Sequence, residues 1–412
     1  MVDLEMSLDI KKIRADYEVL SKKVGGQLPI YFDNACTTLR PASVIKASQT
    51  YYTDHPACHN RAVHKFGKQT TKEYEAARST VARFLGADKP QEIVFTRNTT
   101  EGINLIANGL DFKKGDIVLT TNMEHNSNLI PWQMLAMEKG IVHKLVDIKK
   151  DDQAFDLESY KKIFTEGKVR LVSVFHTSNV TGMSLPIKEM VQIAHENGAF
   201  FLLDAAQAIA HQKINVKELD VDFLAFSFHK AFGPSGFGSL YGKFELLQKL
   251  KPLLYGGETV LDADYTSFTF AETPYRLEAG LQNYAGAIGG AEALRYIEKL
   301  GIESFHQHEV KINQFITQEL LKHSSIEILG PKEAELRSGI LNFSVKNKDM
   351  GELSILLDES KNIMTRSGFH CAHAWFHKEN LPPTLRLSFS VYNTQEEAET
   401  FVSVINQIIQ FY

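Results

Sequence analysis

Lys230 closes the segment Ser227-Phe228-His229-Lys230, directly after the apolar run Phe223-Leu224-Ala225-Phe226. An amine at the end of a buried strand is poorly solvated. Its ammonium form is disfavoured, which suits it to forming a Schiff base with a carbonyl. Asp204 stands 26 residues earlier, at the end of a second apolar run, Phe200-Phe201-Leu202-Leu203. A carboxylate there suits a ring nitrogen that must stay protonated. Thr99-Thr100 follows a third run, Ile93-Val94-Phe95, inside the segment Thr96–Gly102 that opens a helix. Hydroxyls and free N–H groups at a helix N-terminus form an anion site fitted to a phosphate. A Schiff-base lysine, a ring-nitrogen carboxylate and a phosphate cup are together the requirements of pyridoxal phosphate.

These groups need a frame that brings distant strand ends together. Runs at Ile93–Phe95, Ile117–Leu119, Leu171–Phe175, Phe200–Leu203 and Phe223–Phe226 alternate with amphipathic stretches such as Thr99–Asn108 and Ile187–Asn197. Continuous apolar runs suit strands buried on both faces, so the pattern implies an α/β fold with a parallel sheet between helices. In such a sheet a ligand sits beyond the carboxyl ends of the strands. Each run is followed there by polar groups: Thr99 and Thr100, Glu124 and His125, Asn179, Asp204 and Gln207, then Ser227, His229 and Lys230. After about Gly290 the pattern changes to helices near Phe305–His323 and Thr394–Phe411, with alternating strands at Ile340–Val345 and Thr384–Val391. This reads as a smaller C-terminal α+β domain. The N-terminal stretch Leu4–Leu20 has helical spacing. The resulting domain plan is a helical segment over 1–30, packing with the small domain, a large domain over 31–285 and the small domain over 286–412.

The chain's 412 residues hold 45 Lys+Arg against 50 Asp+Glu, a formal net charge of -5. That balance argues against nucleic acid or an anionic membrane surface as partner. No stretch reaches the roughly 18 apolar residues of a membrane span, and no apolar signal core opens the chain. Three cysteines make no disulfide framework, so a cytoplasmic, reduced protein is expected. His370, Cys371 and His373, and likewise His55, Cys58 and His59, have spacings that resemble metal sites. Neither set has a further ligand pair nearby, and no metal is expected.

From about Tyr31 to the C-terminus the sequence resembles the class V, fold type I enzymes dependent on pyridoxal phosphate, and among them the group II cysteine desulfurases. The matching segments include Tyr31-Phe32-Asp33-Asn34-Ala35, Ser178-Asn179-Val180, Asp204-Ala205-Ala206-Gln207, Ser227–Lys230, Arg366–Ala372, and Arg386 with Tyr392-Asn393-Thr394. The resemblance implies a seven-stranded, mostly parallel sheet in the large domain and a homodimer with sites at its interface. It implies that Lys230 carries the cofactor, Asp204 pairs with its pyridine nitrogen, His125 stacks on the ring and Gln207 meets the phenolic oxygen. Thr99, Thr100, Ser227 and His229 would hold the phosphate. Asn179 and Arg386 would bind the substrate carboxylate. Cys371 would attack the sulfur of L-cysteine and keep it as a persulfide, leaving L-alanine, with delivery to a protein acceptor for iron–sulfur clusters or another sulfur pathway. Arg366, His370 and His373 stand close in sequence as cations that would favour its thiolate.

The sequence also departs from that family. Asn126 follows His125 where a second histidine is common, and Phe369 precedes His370-Cys371 where His-His-Cys is common. Leu281 replaces a threonine that reaches the partner subunit's phosphate, and His373-Ala374-Trp375-Phe376 is unusual. Cys36 stands where the family usually has alanine, and both Cys36 and Cys58 read as non-catalytic. Two other functions fit the scaffold: a selenocysteine lyase or cysteine C–S lyase, which need not use Cys371, and a catalytically silent assembly scaffold, which would bind no cofactor.

Overall fold

The computed structural model describes residues 8–148 and 155–411. Its central sheet has seven strands among those residues: β1 Ile93–Thr96, β2 Ile117–Thr121, β3 Val142–Val146, β4 Val169–Phe175, β5 Phe200–Asp204, β6 Phe223–Ser227 and β7 Gly238–Gly242. They lie in the order β1-β7-β6-β5-β4-β2-β3. Strands β3, β2, β4, β5 and β6 pair in parallel, and β7 runs antiparallel to both of its neighbours. The two-residue pleat splits each apolar run between two cores. Phe201 and Leu203 join one cluster, with Met190, Val191 and Tyr74 from the helices over them. Leu202 joins the other, with Ile103, Ile106 and Trp132. A parallel sheet covered on both faces follows from the sequence pattern as expected.

The C-terminal region forms a second sheet of four antiparallel strands: β8 Ile326–Ile328, β9 Ile340–Val345, β10 Arg366–Gly368 and β11 Thr384–Ser388, in the order β8-β9-β11-β10. Its core takes Ile312, Ile316, Leu357, Phe401 and Ile405 from the helices Ile302–Leu320, Met350–Lys361 and Gln395–Phe411.

Three details differ from the domain plan drawn from sequence. Phe32 packs in this second core, and Ile30–Tyr31 pairs in parallel with Ile363–Met364, so the start of the large unit is threaded along the small one. The helix Tyr284–Leu300 heads the C-terminal unit in that plan but packs on the helices Ala42–Asp54 and Lys65–Leu85. Small residues allow this: a Cβ at Gly289 would lie 2.0 Å from Ser48 Oγ. The N-terminal helix is limited to Ile10–Ala15, capped by Asp9; Ile13, Tyr17 and Leu20 enter the large core, while Arg14 pairs with Glu397 and Tyr17 packs on Tyr392 of the C-terminal unit. Leu4, the expected start of that helix, lies outside the described residues.

Candidate active site

The carboxyl ends of β1, β2, β4, β5 and β6 open on one cavity of about 290 Å³. Thr99, Thr100, His125, Asn179, Asp204, Gln207, Ser227, His229, Lys230, Arg386 and Cys371, each singled out from the sequence, all line it. A larger cleft of about 1230 Å³ lies elsewhere, around Met183, His211 and Leu329. It lacks Lys230, Asp204 and the hydroxyl-lined helix N-terminus, so the smaller cavity is the candidate on chemistry rather than size.

At one end of the cavity, Asn98 caps the helix Thr99–Gly109, its side chain accepting from Glu101 N at 2.9 Å. The cap lies hard against the sheet, since a Cβ on Gly238 would come within 2.6 Å of Asn98 Cα. Thr99 N donates to Ser227 Oγ at 2.8 Å, and the Thr99 and Ser227 hydroxyls are 2.7 Å apart. The Thr100 hydroxyl meets Ser127 Oγ at 2.8 Å. A helix N-terminus ringed by hydroxyls from three strand ends is an anion cup.

At the other end Asp204 is buried, and burial raises its pKa above the usual aspartate range despite a bond from Ala206 N and the nearby Lys230 charge. Burial lowers the pKa of Lys230 below the usual lysine range against the pull of Asp204. Burial, with Lys230 and Arg386 nearby, lowers His125 to about 3, and burial lowers His229 to about 4. Both imidazoles are neutral at physiological pH. His125 Nδ1 accepts from Ser127 N, which fixes the ring. Gln207 Nε2 donates to Ala35 O at 2.9 Å and keeps a second N–H for a ligand.

The opposite wall comes from the C-terminal sheet. Arg386 on β11 donates through Nη1 to Asn179 O at 2.9 Å and meets Asp33 through Nη2 at 3.3 Å. Its Nε is buried without a partner, as is His370 Nδ1. Cys371 sits at the mouth, half-buried, on a turn in which His370 and Cys371 have φ of 48° and 60°. That left-handed turn is held by Asn126 N donating to Cys371 O at 2.8 Å and Asn179 Nδ2 donating to His370 O at 2.6 Å. The cationic neighbourhood expected for Cys371 is different in detail. Burial lowers His370 to about 2, so it is neutral, and the Arg366 guanidinium lies on Cys36 instead.

Sequence reasoning passed over Asp33, Cys36, Asn98 and Ser127 as site residues. Asp33 bonds Arg386 across 353 positions and Cys36 bonds Arg366 across 330, separations that no local pattern reports. Asn98 alone had a local signal, an N-cap type three residues before Glu101. Among the described residues no group of three or more His, Cys, Asp or Glu is placed to hold a metal. His55 and His59 pair instead with Glu73 and Glu75.

The cavity tests well against pyridoxal phosphate. It joins a hydroxyl-lined cup at a helix N-terminus, a buried carboxylate with no ion-pair partner among the described residues, and a desolvated primary amine. The aminotransferase class-V family model matches residues 30–401. A probable cysteine desulfurase of Pyrococcus abyssi is 42% identical over 385 residues, covering 92% of this chain and 94% of the relative. The apo cysteine desulfurase of Thermococcus onnurineus superposes with a TM-score of 0.92 at 38% identity, over 98% of each chain. The Escherichia coli cysteine desulfurase CsdA, in its S-sulfonic acid form, gives 0.90 at 30% identity, over 98% of this chain and 99% of that one.

Proposed function

The chain belongs to the aminotransferase class-V family, and from that premise we propose that it is a pyridoxal-phosphate-dependent cysteine desulfurase. It takes sulfur from L-cysteine, releases L-alanine and carries the sulfur on Cys371. One observation supports this most: a thiol borne by the C-terminal unit lines the same cavity as the amine, the carboxylate and the anion cup of the N-terminal sheet.

In this reading Asp204 would hold the cofactor's pyridine nitrogen protonated, Gln207 would meet the phenolic oxygen, and Thr99, Thr100, Ser227 and His229 would hold the phosphate. Neutral His125 presents an uncharged ring face. When bound, pyridoxal phosphate supplies an electron sink for the charge left on the substrate's α-carbon. Lys230 would anchor the cofactor through Nζ and would take the α-proton as a free amine, a form its lowered pKa favours. Arg386, buried with an unpartnered Nε, and Asn179 orient the substrate carboxylate. The Cys371 thiolate attacks the substrate sulfur. A new S–S bond forms, the substrate C–S bond breaks, and a persulfide remains on Cys371 as alanine leaves.

The protein acts as a homodimer. The exposed apolar residues Leu261, Tyr265 and Phe268 of a hairpin, with Leu281 on a nearby loop, support that partner, and sedimentation of the holoprotein checks it. A protein acceptor takes the sulfur onward, in the cytoplasm. No helix among the described residues is long and apolar enough to cross a membrane. The test of the whole reading is incubation with L-cysteine, following alanine and the mass of the Cys371 peptide. Wild type yields both alanine and a persulfide, and Cys371→Ala yields neither. Alanine formed equally well by Cys371→Ala would turn the reading to a C–S lyase.

A further inference from the structure

Cys36 lines the cavity beside the reacting groups. It follows Ala35 at the end of the strand segment that crosses to the C-terminal unit. The Arg366 guanidinium donates to its sulfur at 2.8 Å. Arg366 stands on β10, five residues before Cys371, so one short stretch of chain supplies both the cation on one thiol and the other thiol. Cys36, Cys371 and Lys230 line the same cavity of about 290 Å³, which puts both sulfurs on one reaction volume. Arg386, buried with Nε unpartnered, faces that volume too. Cys58, the third cysteine, does not line it.

We infer that Cys36 is a second sulfur station, which takes the sulfane sulfur from the Cys371 persulfide and frees Cys371 for another turnover before an acceptor arrives. This rests on the desulfurase reading above. Asp33, whose carbonyl accepts from Cys36 N at 3.1 Å and whose carboxyl is pushed by burial above the usual aspartate range, accepts the thiol proton. The Cys36 thiolate attacks the terminal sulfur of Cys371–S–SH. The Cys36–S bond forms, the S–S bond to Cys371 breaks, and Cys371 leaves as a thiolate that recovers the proton held on Asp33. No oxidant or reductant is consumed, because one persulfide replaces another. The guanidinium of Arg366 meets the negative charge on the Cys36 sulfur before and after transfer.

The test loads the holoenzyme with a small excess of L-cysteine, without acceptor or added reductant. Sulfane sulfur is counted by cyanolysis and located by peptide mass. Wild type should carry about two sulfane sulfurs per protomer, on Cys36 and Cys371, and Cys36→Ser and Cys36→Ala about one, on Cys371. A wild-type count near one, on Cys371 alone, overturns the inference and leaves the desulfurase reading standing. So does sulfur spread equally onto Cys58, or a Cys36–Cys371 disulfide formed with release of sulfide. No sulfur on Cys371 and no alanine overturns both. A second measurement needs no turnover: dibromobimane added to the full chain should bridge Cys36 and Cys371 in one peptide pair, and failure to bridge them overturns the proposal.

Discussion

The two walls of the cavity are built to different standards. The sheet wall is closed and bonded: Asp204, Ser227 and Thr99 are buried, Thr99 and Ser227 bond each other across two strand ends, and Asp204 accepts from Ala206 N in its own turn. The wall from the C-terminal unit carries its key thiol on a left-handed turn, half-buried, with its carbonyl held by one backbone bond from Asn126. Rigid strand ends suit a cofactor that stays in place through every cycle. A thiol that must approach the substrate sulfur and later meet an acceptor needs a segment that opens at low cost, and such segments have few buried contacts. The fold therefore places the chemistry shared across the class on the sheet and the sulfur chemistry on a turn.

Breaking each wall in turn should separate these roles. Lys230→Ala should abolish the protein's colour and lower turnover by about 10²–10⁴-fold, the range of a general base. Cys371→Ala should lose the persulfide and keep the colour, and a colourless Cys371→Ala protein would erase the contrast. The sheet wall also sets the pH dependence. In the proposed role Lys230 works as a free amine, so turnover should rise with pH as it deprotonates. Because burial lowers its pKa, that rise should centre below the usual lysine value of about 10.4. A profile centred at or above that value would show that burial does not tune this amine.

Arg386→Gln comes next. The side chain meets Asp33 and Asn179 and leaves a donor open to the cavity. Losing a charge-assisted bond to substrate costs about 1.5–3 kcal/mol, so KM for cysteine should rise roughly ten- to a hundredfold. Titration of the cofactor should be little changed, because Arg386 belongs to the other wall. Asn126→Ala should act on the turn alone. It removes the 3.1 Å contact from Asn126 Nδ2 to His373 Nδ1 and keeps the backbone bond to Cys371 O. A neutral hydrogen bond contributes about 1 kcal/mol, so persulfide formation should change less than about tenfold. Hydrogen exchange over residues 368–376 should speed up, with the sheet strands unaffected.

The same contrast explains what the sequence made legible. Strands β1, β2, β4, β5 and β6 are apolar runs buried on both faces, and their polar ends announce the cofactor cup directly. β3, Val142–Val146, is an edge strand of the sheet with four of its five residues exposed or half-buried, so it carries no apolar run. β7 is Gly238-Ser239-Leu240-Tyr241-Gly242, and its glycines serve close packing, as Gly238 does against Asn98. Neither strand has the pattern that marked the others. On the second wall Ile340–Val345 is found where its alternation predicts it. Pairings such as Arg366 with Cys36 arise from the crossing of two units, and no periodicity encodes them.

The smallest effect is expected at Leu281, where the family resemblance predicts a threonine hydroxyl on the partner's phosphate. The root of this loop is fixed within the chain: Glu278 is buried between Arg78, at 2.6 Å and 3.0 Å, and Tyr74. Gly280 N donates to Gly257 O at 2.9 Å, and Gln282 Nε2 donates to Glu278 O at 3.0 Å. Those bonds take Gly280 N–H out of play and leave Gln282 one side-chain N–H. They also hold residue 281 out as the tip of the turn, with Leu281 70% exposed. A hydroxyl added there would find no partner within its own subunit, and the cup already has Thr99, Thr100 and Ser227 within its own chain. Leu281→Thr should therefore change affinity for pyridoxal phosphate by less than about threefold, under ~0.7 kcal/mol. Equilibrium titration of the apoprotein with the cofactor measures this. Tenfold tighter binding in the variant would mean that the phosphate lacks a donor that only the partner loop supplies, and that the sheet wall is incomplete without the second subunit.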